Sequence, residues 1–229
     1  LLFFDLDGDV NLAAGCRNNC TAEELSYITM KVHTMSDAAY DIRSNQIYQT
    51  LVSSKLSLST DLQEKGTPQQ RALRYVTYLT QDLDLWDIAE ERHLLQLYGL
   101  ACLYYGTGGG TMWELPGVHP VLGRHPWMGE KGWLVMGEEG YCGWGGVVCS
   151  GVKERPVVTR LLLDDEVLEG TIPMELSGIA FEFLEIISMS NNTLKGSIPS
   201  SLGTFYNLQE LNLRENQLTG TLPTELEEL

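Results

Sequence analysis

The sequence predicts an α/β solenoid, in which a helical region precedes a stack of similar coils that each contain one short strand. Two observations carry this prediction. A pattern of apolar residues, Asn, Gly and Pro recurs nearly three times between Val158 and Leu229. Upstream, apolar residues follow helical spacing, most clearly from Asp87 to Tyr105. One copy is too short to bury its own apolar side chains, so neighbouring copies must share a core.

Each copy places the same residue types at the same positions. The glycines that mark the copies lie 26 and 24 residues apart, at Gly170, Gly196 and Gly220. The residues expected to point into the shared core are Leu163, Met189 and Leu213. Three positions later, Asn192 and Asn216 can each donate to and accept from backbone groups of neighbouring coils as a ladder. Glu166 occupies this position in the first copy and fits it less well.

The pattern L-x-x-L-x-L-x-x-N-x-L-x-G-x-I-P resembles the plant-type leucine-rich repeat class, which occurs in receptor ectodomains and polygalacturonase-inhibitor-like proteins. Cys142-Gly-Trp144-Gly-Gly-Val-Val-Cys149 resembles the C-x-W-x-G-V-x-C element that caps the N-terminal end of that class. Residues 67–73 and 95–109 resemble the helical region of diatom-type members. The resemblance covers residues 67–229. It implies a right-handed array with a parallel β-sheet on its concave face and a disulfide between the two cap cysteines.

These features divide the chain into four predicted parts: an unassigned segment over 1–20, a helical region over 21–106, a Trp/Gly-rich cap with the disulfide over 107–157, and the repeats over 158–229. The repeats divide further into 158–183, 184–207 and an incomplete 208–229. Because the chain starts at Leu1 and stops within a repeat, we expect it to be part of a longer protein.

Two helices are predicted before residue 53. Thr21-Ala-Glu-Glu has the spacing of a capping box, so a helix is expected to follow to about Met35. Asp37 opens the second, which runs to about Val52. Its expected apolar side consists of Ala39, Ile42, Ile47 and Leu51. The polar residues 53–66 predict a loop.

Two further helices complete the helical region. Thr67 is expected to cap a helix that has Pro68 at its first position, where proline is favourable. The helix from Asp87 to Tyr105 is apolar over most of its surface, which predicts that it is buried and closes the N-terminal end of the solenoid. Gly106 and the glycines after it predict the end of this helix.

The cysteines indicate the compartment. A Cys142–Cys149 disulfide, implied by the cap resemblance, favours an oxidising environment and hence the secretory pathway, with an extracellular or cell-surface location. Cys16 and Cys20 form a possible second pair, and Cys102 is expected to be a buried free thiol. Asn191-Asn192-Thr193 is an acceptor sequence for glycosylation at Asn191.

Composition narrows the classes of partner. The chain has 15 Lys and Arg residues and 31 Asp and Glu residues, for a formal charge of −16. Such a charge repels phosphate groups, so neither nucleic acid nor an anionic membrane surface is an expected partner. The sequence contains no apolar run of about 18 residues, so we predict no transmembrane segment within it. The parent protein's anchoring and its oligomeric state stay open.

Three chemical alternatives are weaker. Asp5-Leu-Asp7-Gly-Asp9 resembles the first motif of haloacid-dehalogenase phosphatases, which would make Asp5 and Asp7 a magnesium-dependent site, but Asp9 replaces the Thr of that motif. His119 and His125 precede the cap cysteines at spacings unsuited to a zinc finger. The glycines after Gly106 lack the Lys-Ser/Thr of a phosphate loop. The sequence therefore favours a non-enzymatic protein without a cofactor or metal.

The remaining hypothesis is recognition of a protein or peptide, or of a glycan, by the outward positions of the repeat strands. These positions vary between copies while the inward ones stay constant. A structural cell-surface or wall protein without a specific partner is the alternative. The predicted ligand-binding residues are Thr159, Arg160, Leu162, Asp164, Glu185, Ile186, Ser188, Ser190, Gln209, Glu210, Asn212 and Arg214.

Overall fold

The computed structural model describes residues 37–79, 91–108, 133, 140–151 and 156–228. Several sequence predictions lie outside these residues: the helix over 21–35, the pairing of Cys16 with Cys20, the Asp5 and Asp7 phosphatase motif, and the two histidines of the zinc alternative. They stay predictions. The description below concerns the helical region, the cap and the repeats.

Within the described residues, four α-helices precede the repeats: α1 (Asp37–Ser53), α2 (Ser59–Gln63), α3 (Pro68–Leu79) and α4 (Glu91–Gly106). The start of α3 follows from its cap, because Thr67 Oγ1 accepts a hydrogen bond from the backbone N–H of Gln70 at 3.1 Å. Every residue of α4 from Leu94 to Tyr104 is buried, as its apolar composition predicts.

Two details of the helical region differ from the sequence prediction. Residues 53–66 are not simply a loop: they contain α2, because Leu56 and Leu62 are buried in the core and hold this segment against the other helices. Ile42 is 63% exposed and does not face the core. The buried side of α1 consists of Ile47 and Leu51, and the partly buried Tyr48 and Val52 pack against the same core.

The described part of the chain then contains seven strands: β1 (Val147–Ser150), β2 (Val157–Leu162), β3 (Glu169–Thr171), β4 (Ile186–Ser188), β5 (Thr193–Gly196), β6 (Glu210–Asn212) and β7 (Gln217–Leu218). They form a four-stranded sheet of order β1-β2-β4-β6 and a three-stranded sheet of order β3-β5-β7. All pairs are parallel except β1 with β2, which is antiparallel. The predicted solenoid with a parallel sheet is confirmed, whereas β1 and the second sheet are additions to the prediction.

The inward residues of successive coils stack on one another. Leu161, Ile187 and Leu211 are register partners in β2, β4 and β6. Leu163 and Met189 lie two residues after Leu161 and Ile187, and their exposed fractions are 1% and 0%. Leu211 and Leu213 in the third coil are only half-buried, because the described residues supply no coil beyond them.

Asn192 closes the turn of the coil before it. Its Oδ1 accepts from the N–H of Leu168 at 2.9 Å, and its Nδ2 donates to the carbonyl of Leu163 at 2.8 Å. The same Nδ2 also donates to Met189 in its own coil at 3.0 Å. These backbone groups lie where the chain leaves the sheet, so no ladder bond is available to them.

Asn216 makes the same contacts one coil later. Its Oδ1 accepts from Leu194 N at 3.0 Å, and its Nδ2 donates to the carbonyl of Met189 at 2.8 Å. The two amides therefore form the expected ladder along the solenoid. No hydrogen bond from the Glu166 side chain is seen within the described residues. The N–H of Leu168 and the carbonyl of Leu163 in the first coil are bonded by Asn192.

Left-handed backbone conformations recur at two positions of each coil. The residue before the ladder position has φ of 60°, 54° and 55° at Asp165, Asn191 and Glu215. The glycine of each copy has φ of 112°, 75° and 85° at Gly170, Gly196 and Gly220. Glycine suits this second position, because residues with a Cβ rarely adopt positive φ.

Helix α4 takes the place of a coil before the first repeat. Gln96 Oε1 accepts from the N–H of Val158 in β2 at 2.9 Å. At the end of the helix, the carbonyl of Thr107 accepts from Glu169 N in β3 at 3.0 Å, as the carbonyl of Leu168 accepts from Thr193 N in the next coil. The helix and the residue that follows it thus accept hydrogen bonds from backbone N–H groups of both sheets at the end of the array.

Close packing accompanies these bonds. A Cβ placed on Gly99 of α4 would lie 2.8 Å from the ring of Phe181, and a Cβ on Gly170 would lie 2.3 Å from the carbonyl oxygen of Gly106. Both glycines therefore permit the helix to approach the first coil more closely than a larger residue would allow. The predicted closing helix is present and in direct contact with the repeats.

A buried carboxylate links the helical region to the first coil. Glu175 is fully buried; its Oε1 accepts from the Ser57 hydroxyl and its Oε2 from Gln69 Nε2 at 3.0 Å. The Ser57 proton is engaged in that bond, so the Tyr98 hydroxyl donates to Ser57 Oγ at 2.8 Å. Burial raises the pKa of Glu175 above its ordinary value, and these hydrogen bonds offset only part of the effect.

The cap between helix and repeats is held by aromatic packing and one disulfide. Cys142 and Cys149 are disulfide-bonded, with their Cα atoms 5.7 Å apart. Trp133 donates from Nε1 to the carbonyl of Gly145 at 2.7 Å, and its ring lies 5.2 Å from that of Trp144. Both indoles are buried, so they fix the loop from which β1 continues.

Replacement of the first ladder residue, Asn192→Ala, should lower the free energy of unfolding by about 3 kcal/mol, because buried backbone groups lose their partners. Asn216→Ala should cost less, since water can reach its half-buried partners. Urea unfolding of both variants beside Asn207→Ala, an exposed Asn with one bond to the carbonyl of Glu182, measures the difference. Equal losses at Asn192 and Asn207 would contradict the ladder.

The buried Glu175 should make stability depend on pH. Its folded-state pKa is raised, so its contribution is fully present below the unfolded pKa of about 4.3 and is lost as pH rises through the folded value. Glu175→Gln imitates the protonated acid. We therefore expect it to stabilise the fold relative to wild type at pH 7, and this gain to shrink towards pH 4 in urea titrations.

The matched control for this experiment is Glu225→Gln, at the corresponding position of the third coil, where the side chain is exposed. It makes the same chemical change without removing a buried carboxylate, so it should not stabilise the fold at pH 7. A pH-independent difference between Glu175→Gln and wild type would show that the buried carboxylate does not titrate with folding.

Candidate functional site

The outward side of the four-stranded sheet carries three rows of side chains, and we call this surface the open face. Alternation along β2 puts Arg160 and Leu162 on the side opposite the buried Leu161. Asp164, two residues beyond β2, lies on the same side, because its carboxylate bonds Ser188 and Ser190. The strand register then aligns the other strands with them. The first row is Val148, Arg160, Ile186 and Glu210; the second is Leu162, Ser188 and Asn212; the third is Asp164, Ser190 and Arg214.

Nine of the twelve predicted ligand-binding residues therefore lie on one surface. Thr159 does not: it is 9% exposed, and its hydroxyl donates to the carbonyl of Val148 at 3.3 Å. The prediction of an outward Thr159 is wrong because its position alternates with Arg160 and because β1 covers it. Glu185 and Gln209 lie one residue before β4 and β6, at the same register position as Thr159, so they are not part of the three rows.

Val148 is a member of the open face that the sequence prediction missed. It is 37% exposed and is the register partner of Arg160. The sequence carries no signal for it, because Val147 and Val148 are the same residue type, and only the structure distinguishes the buried Val147 from the exposed Val148.

The centre of the open face is a hydrogen-bond network around Asp164. Its Oδ1 accepts from the Ser188 hydroxyl at 2.7 Å, the Ser190 backbone N–H at 2.7 Å and the Ser190 hydroxyl at 2.6 Å. Ser188 Oγ accepts in turn from Asn212 Nδ2 at 3.2 Å. The network crosses from β2 to β6, and it explains why Ser188 is buried although its position faces outward.

These bonds determine the charge state of Asp164. Partial burial acts to raise the pKa of its carboxyl, but the bonds from the Ser190 hydroxyl, the Ser188 hydroxyl and the Ser190 N–H outweigh it. The pKa of Asp164 therefore lies below its ordinary value, and the group is ionised at neutral pH.

Charged and apolar groups occupy the rest of the open face. Arg160, Glu210 and Arg214 are exposed, and Arg214 Nη2 lies 3.8 Å from Glu215 Oε1 at the border. Leu162 is 41% exposed, which is high for a leucine in a sheet. The open face can thus offer both an apolar contact and fixed charges. Within the described part of the chain, no group of three or more His, Cys, Asp or Glu residues could hold a metal ion.

Asn191 lies directly after Ser190, at the end of the open face. It is exposed, has a φ of 54° and donates from Nδ2 to Asp165 Oδ1. Thr193, the third residue of its acceptor sequence, donates to the carbonyl of Leu168 at 2.9 Å. Glycosylation here stays a prediction. Cys102 is a buried free thiol, and none of the described helices is long and apolar enough to cross a membrane.

Comparison with known proteins identifies the repeats. The family model Leucine Rich Repeat matches residues 183–205 and 207–229. Receptor-like protein 50 of Arabidopsis thaliana is 50% identical over 88 residues, which are 38% of this chain and 10% of that protein. Phytosulfokine receptor 1 of the same plant is 33% identical over 85 residues, 37% of this chain and 8% of the receptor. The chain thus spans about a tenth of the length of these relatives.

Among solved structures, the chain is similar to the crystal structure of the BIR3–SERK2 complex from Arabidopsis thaliana. The match has 34% sequence identity and a TM-score of 0.35, and it covers 38% of this chain and 45% of that chain. The sequence matches place plant-type leucine-rich repeats in the C-terminal part of the chain, as the repeat pattern predicts.

The network predicts how Asp164 should titrate. Removing one donor with Ser190→Ala, or another with Ser188→Ala, should raise the pKa of Asp164 towards its ordinary value, because each hydroxyl stabilises the carboxylate. The side-chain carboxyl resonance followed by NMR from pH 2 to 7 measures this. Ser201→Ala, whose hydroxyl bonds the carbonyl of Leu176, is the control. An Asp164 titration unchanged in both test variants would contradict the network.

Proposed function

We propose that this chain, whose C-terminal part carries plant-type leucine-rich repeats, is a non-catalytic recognition module that binds a protein or peptide through the open face. The observation that carries the proposal is the alignment of three rows of outward side chains over a uniformly apolar interior. Arg160, Ile186 and Glu210 occupy one row and differ in chemistry, whereas their inward neighbours Leu161, Ile187 and Leu211 are all aliphatic. Variation confined to the surface is what recognition requires.

The size of the open face favours a peptide segment. Four strands about 4.8 Å apart and rows about 6.6 Å apart give a surface of roughly 15 Å in each direction between side-chain origins. An extended peptide of about five residues has this length. A standard protein interface of about 800 Å² per partner is larger, so a protein partner would contact the open face through one exposed segment.

The compartment proposed is the cell surface or the extracellular space. The Cys142–Cys149 disulfide supports it, since such bonds persist in oxidising environments. An exposed acceptor Asn191 is consistent with passage through the secretory pathway. Two relatives are named as a receptor and a receptor-like protein, which supports a receptor-like role.

Selection of random peptides displayed on phage tests the proposal. We expect peptides that bind wild type and lose at least about tenfold in affinity when Leu162→Arg and Ser190→Arg are combined, because two long cations then obstruct the centre of the open face. The control is Gln217→Arg on the second sheet, which should not change their binding. Circular dichroism and urea unfolding confirm that each variant folds.

Two outcomes would contradict the proposal. One is the absence of any enriched peptide that binds the folded wild-type chain, which would favour a purely structural cell-surface role. The other is a set of binders whose affinity is the same for the doubly substituted variant as for wild type, since they would occupy another surface.

A further inference from the structure

The hydrogen-bond network on the open face has a direction, and this direction restricts the chemistry of the partner. The Ser188 and Ser190 hydroxyls each have one proton, and both donate it in a hydrogen bond to Asp164 Oδ1. What they can still offer outward is acceptor lone pairs. Within the described residues, no hydrogen bond reaches the second carboxylate oxygen, Asp164 Oδ2. The centre of the open face therefore presents acceptors and one negative charge.

We infer that the open face recognises an extended peptide segment through a basic side chain that pairs with Asp164 Oδ2 and an apolar side chain, two residues away, that lies on Leu162. The inference rests on the proposed function. Leu162 is the last residue of β2, and Asp164 is the second residue after it, beside Ser188 and Ser190. Residues i and i+2 of an extended peptide are about 6.6 Å apart, so they can reach two side chains that are two residues apart on this face. Leu162 is 41% exposed and supplies the apolar contact.

Asp164 is a better partner for a basic group than the other exposed acid of the open face, Glu210. Three hydrogen bonds hold the Asp164 carboxylate in one orientation, so binding costs it little side-chain entropy. Such bonds are not seen for Glu210 in the described part of the chain, and its longer side chain would have to be ordered on binding. The fixed, ionised carboxylate is therefore the specific point of contact.

The overall charge of the chain favours the same partner. A formal charge of −16 attracts a cationic segment and repels an acidic one during encounter. Arg160 lies on the open face four residues before Asp164. Arg214 lies on the same face, two strands away from Asp164. They disfavour a basic side chain at those two positions, and so they confine it to the neighbourhood of Asp164.

The substitution Asp164→Asn separates the outward function of this side chain from its inward one. The amide oxygen of Asn can keep the three inward bonds, while its NH2 group replaces Oδ2 with a donor. The matched control is Asp165→Asn, which removes the same charge one residue later. Asp165 has a φ of 60°, which Asn tolerates, and it faces Asn191 rather than the open face.

The probe is the peptide acetyl-Ser-Lys-Thr-Leu-Ser-amide, titrated into the 15N-labelled chain while the backbone amides of Leu162, Ser188 and Ser190 are followed by NMR. We expect saturable shifts with wild type, a loss of about tenfold in affinity for Asp164→Asn and less than about twofold for Asp165→Asn. The peptide with Glu in place of Lys should bind wild type at least about tenfold more weakly, and the peptide with Ser in place of Leu should also bind more weakly.

The two peptide exchanges use the wild-type chain, so they test the inference even if a variant fails to fold. Equal binding of the Lys and Glu peptides, or equal losses in the two Asn variants, would overturn it. If phage-selected peptides bind the open face but show no preference for a basic residue, recognition stands and the assigned charge pairing fails. If no peptide shifts the open face and none is selected, the proposed function fails as well.

Discussion

The fold depends on the satisfaction of backbone groups where the chain leaves one sheet for the other. At that point each coil has N–H and carbonyl groups that the sheets cannot pair, and leaving such groups unpaired in the interior costs about 1–3 kcal/mol each. Asn192 supplies the missing partners for Leu163 and Leu168 of the coil before it. Asn216 does the same one coil later. A coil is thus complete only when the next one is in place.

The same constraint explains the structure at the N-terminal end. The first coil has no repeat before it, so helix α4 and β1 satisfy its open groups through Gln96, Thr107 and Gly146. At the position where Ser201 of the second coil bonds the carbonyl of Leu176, the first coil has Glu175, which reaches Ser57 and Gln69 in the helical region instead. The helices are therefore part of the solenoid core.

Because the interior and the backbone are satisfied independently of the outward positions, these positions are free to carry recognition. The side chains of the open face are held differently at its margins and at its centre. Its margins hold exposed Arg160, Glu210 and Arg214, whereas its centre is ordered around Asp164 by hydrogen bonds that cross the strands. In the function proposed above, an ordered centre would lower the entropic cost of binding, and the exposed charges around it would steer the encounter.

The sequence by itself determined the features that repeat at short range. Periodicity identified the inward residues such as Leu163 and Met189 and the ladder residues Asn192 and Asn216, since each depends on spacing within one coil. The family resemblance of the repeats implied the parallel sheet. Cap chemistry likewise located the start of α3 at Thr67 and Pro68. These features need no knowledge of distant partners.

Only the tertiary structure decided which residues meet across the chain. The burial of Thr159 depends on β1, and the helical turn of α2 depends on core contacts made by Leu56 and Leu62. The polarity of the Asp164 network depends on side chains 24 and 26 residues away. Spacing along the sequence predicts the face of an element on which a residue lies, but not the residues that pack against that face. Those packed residues determine burial and the direction of each hydrogen bond.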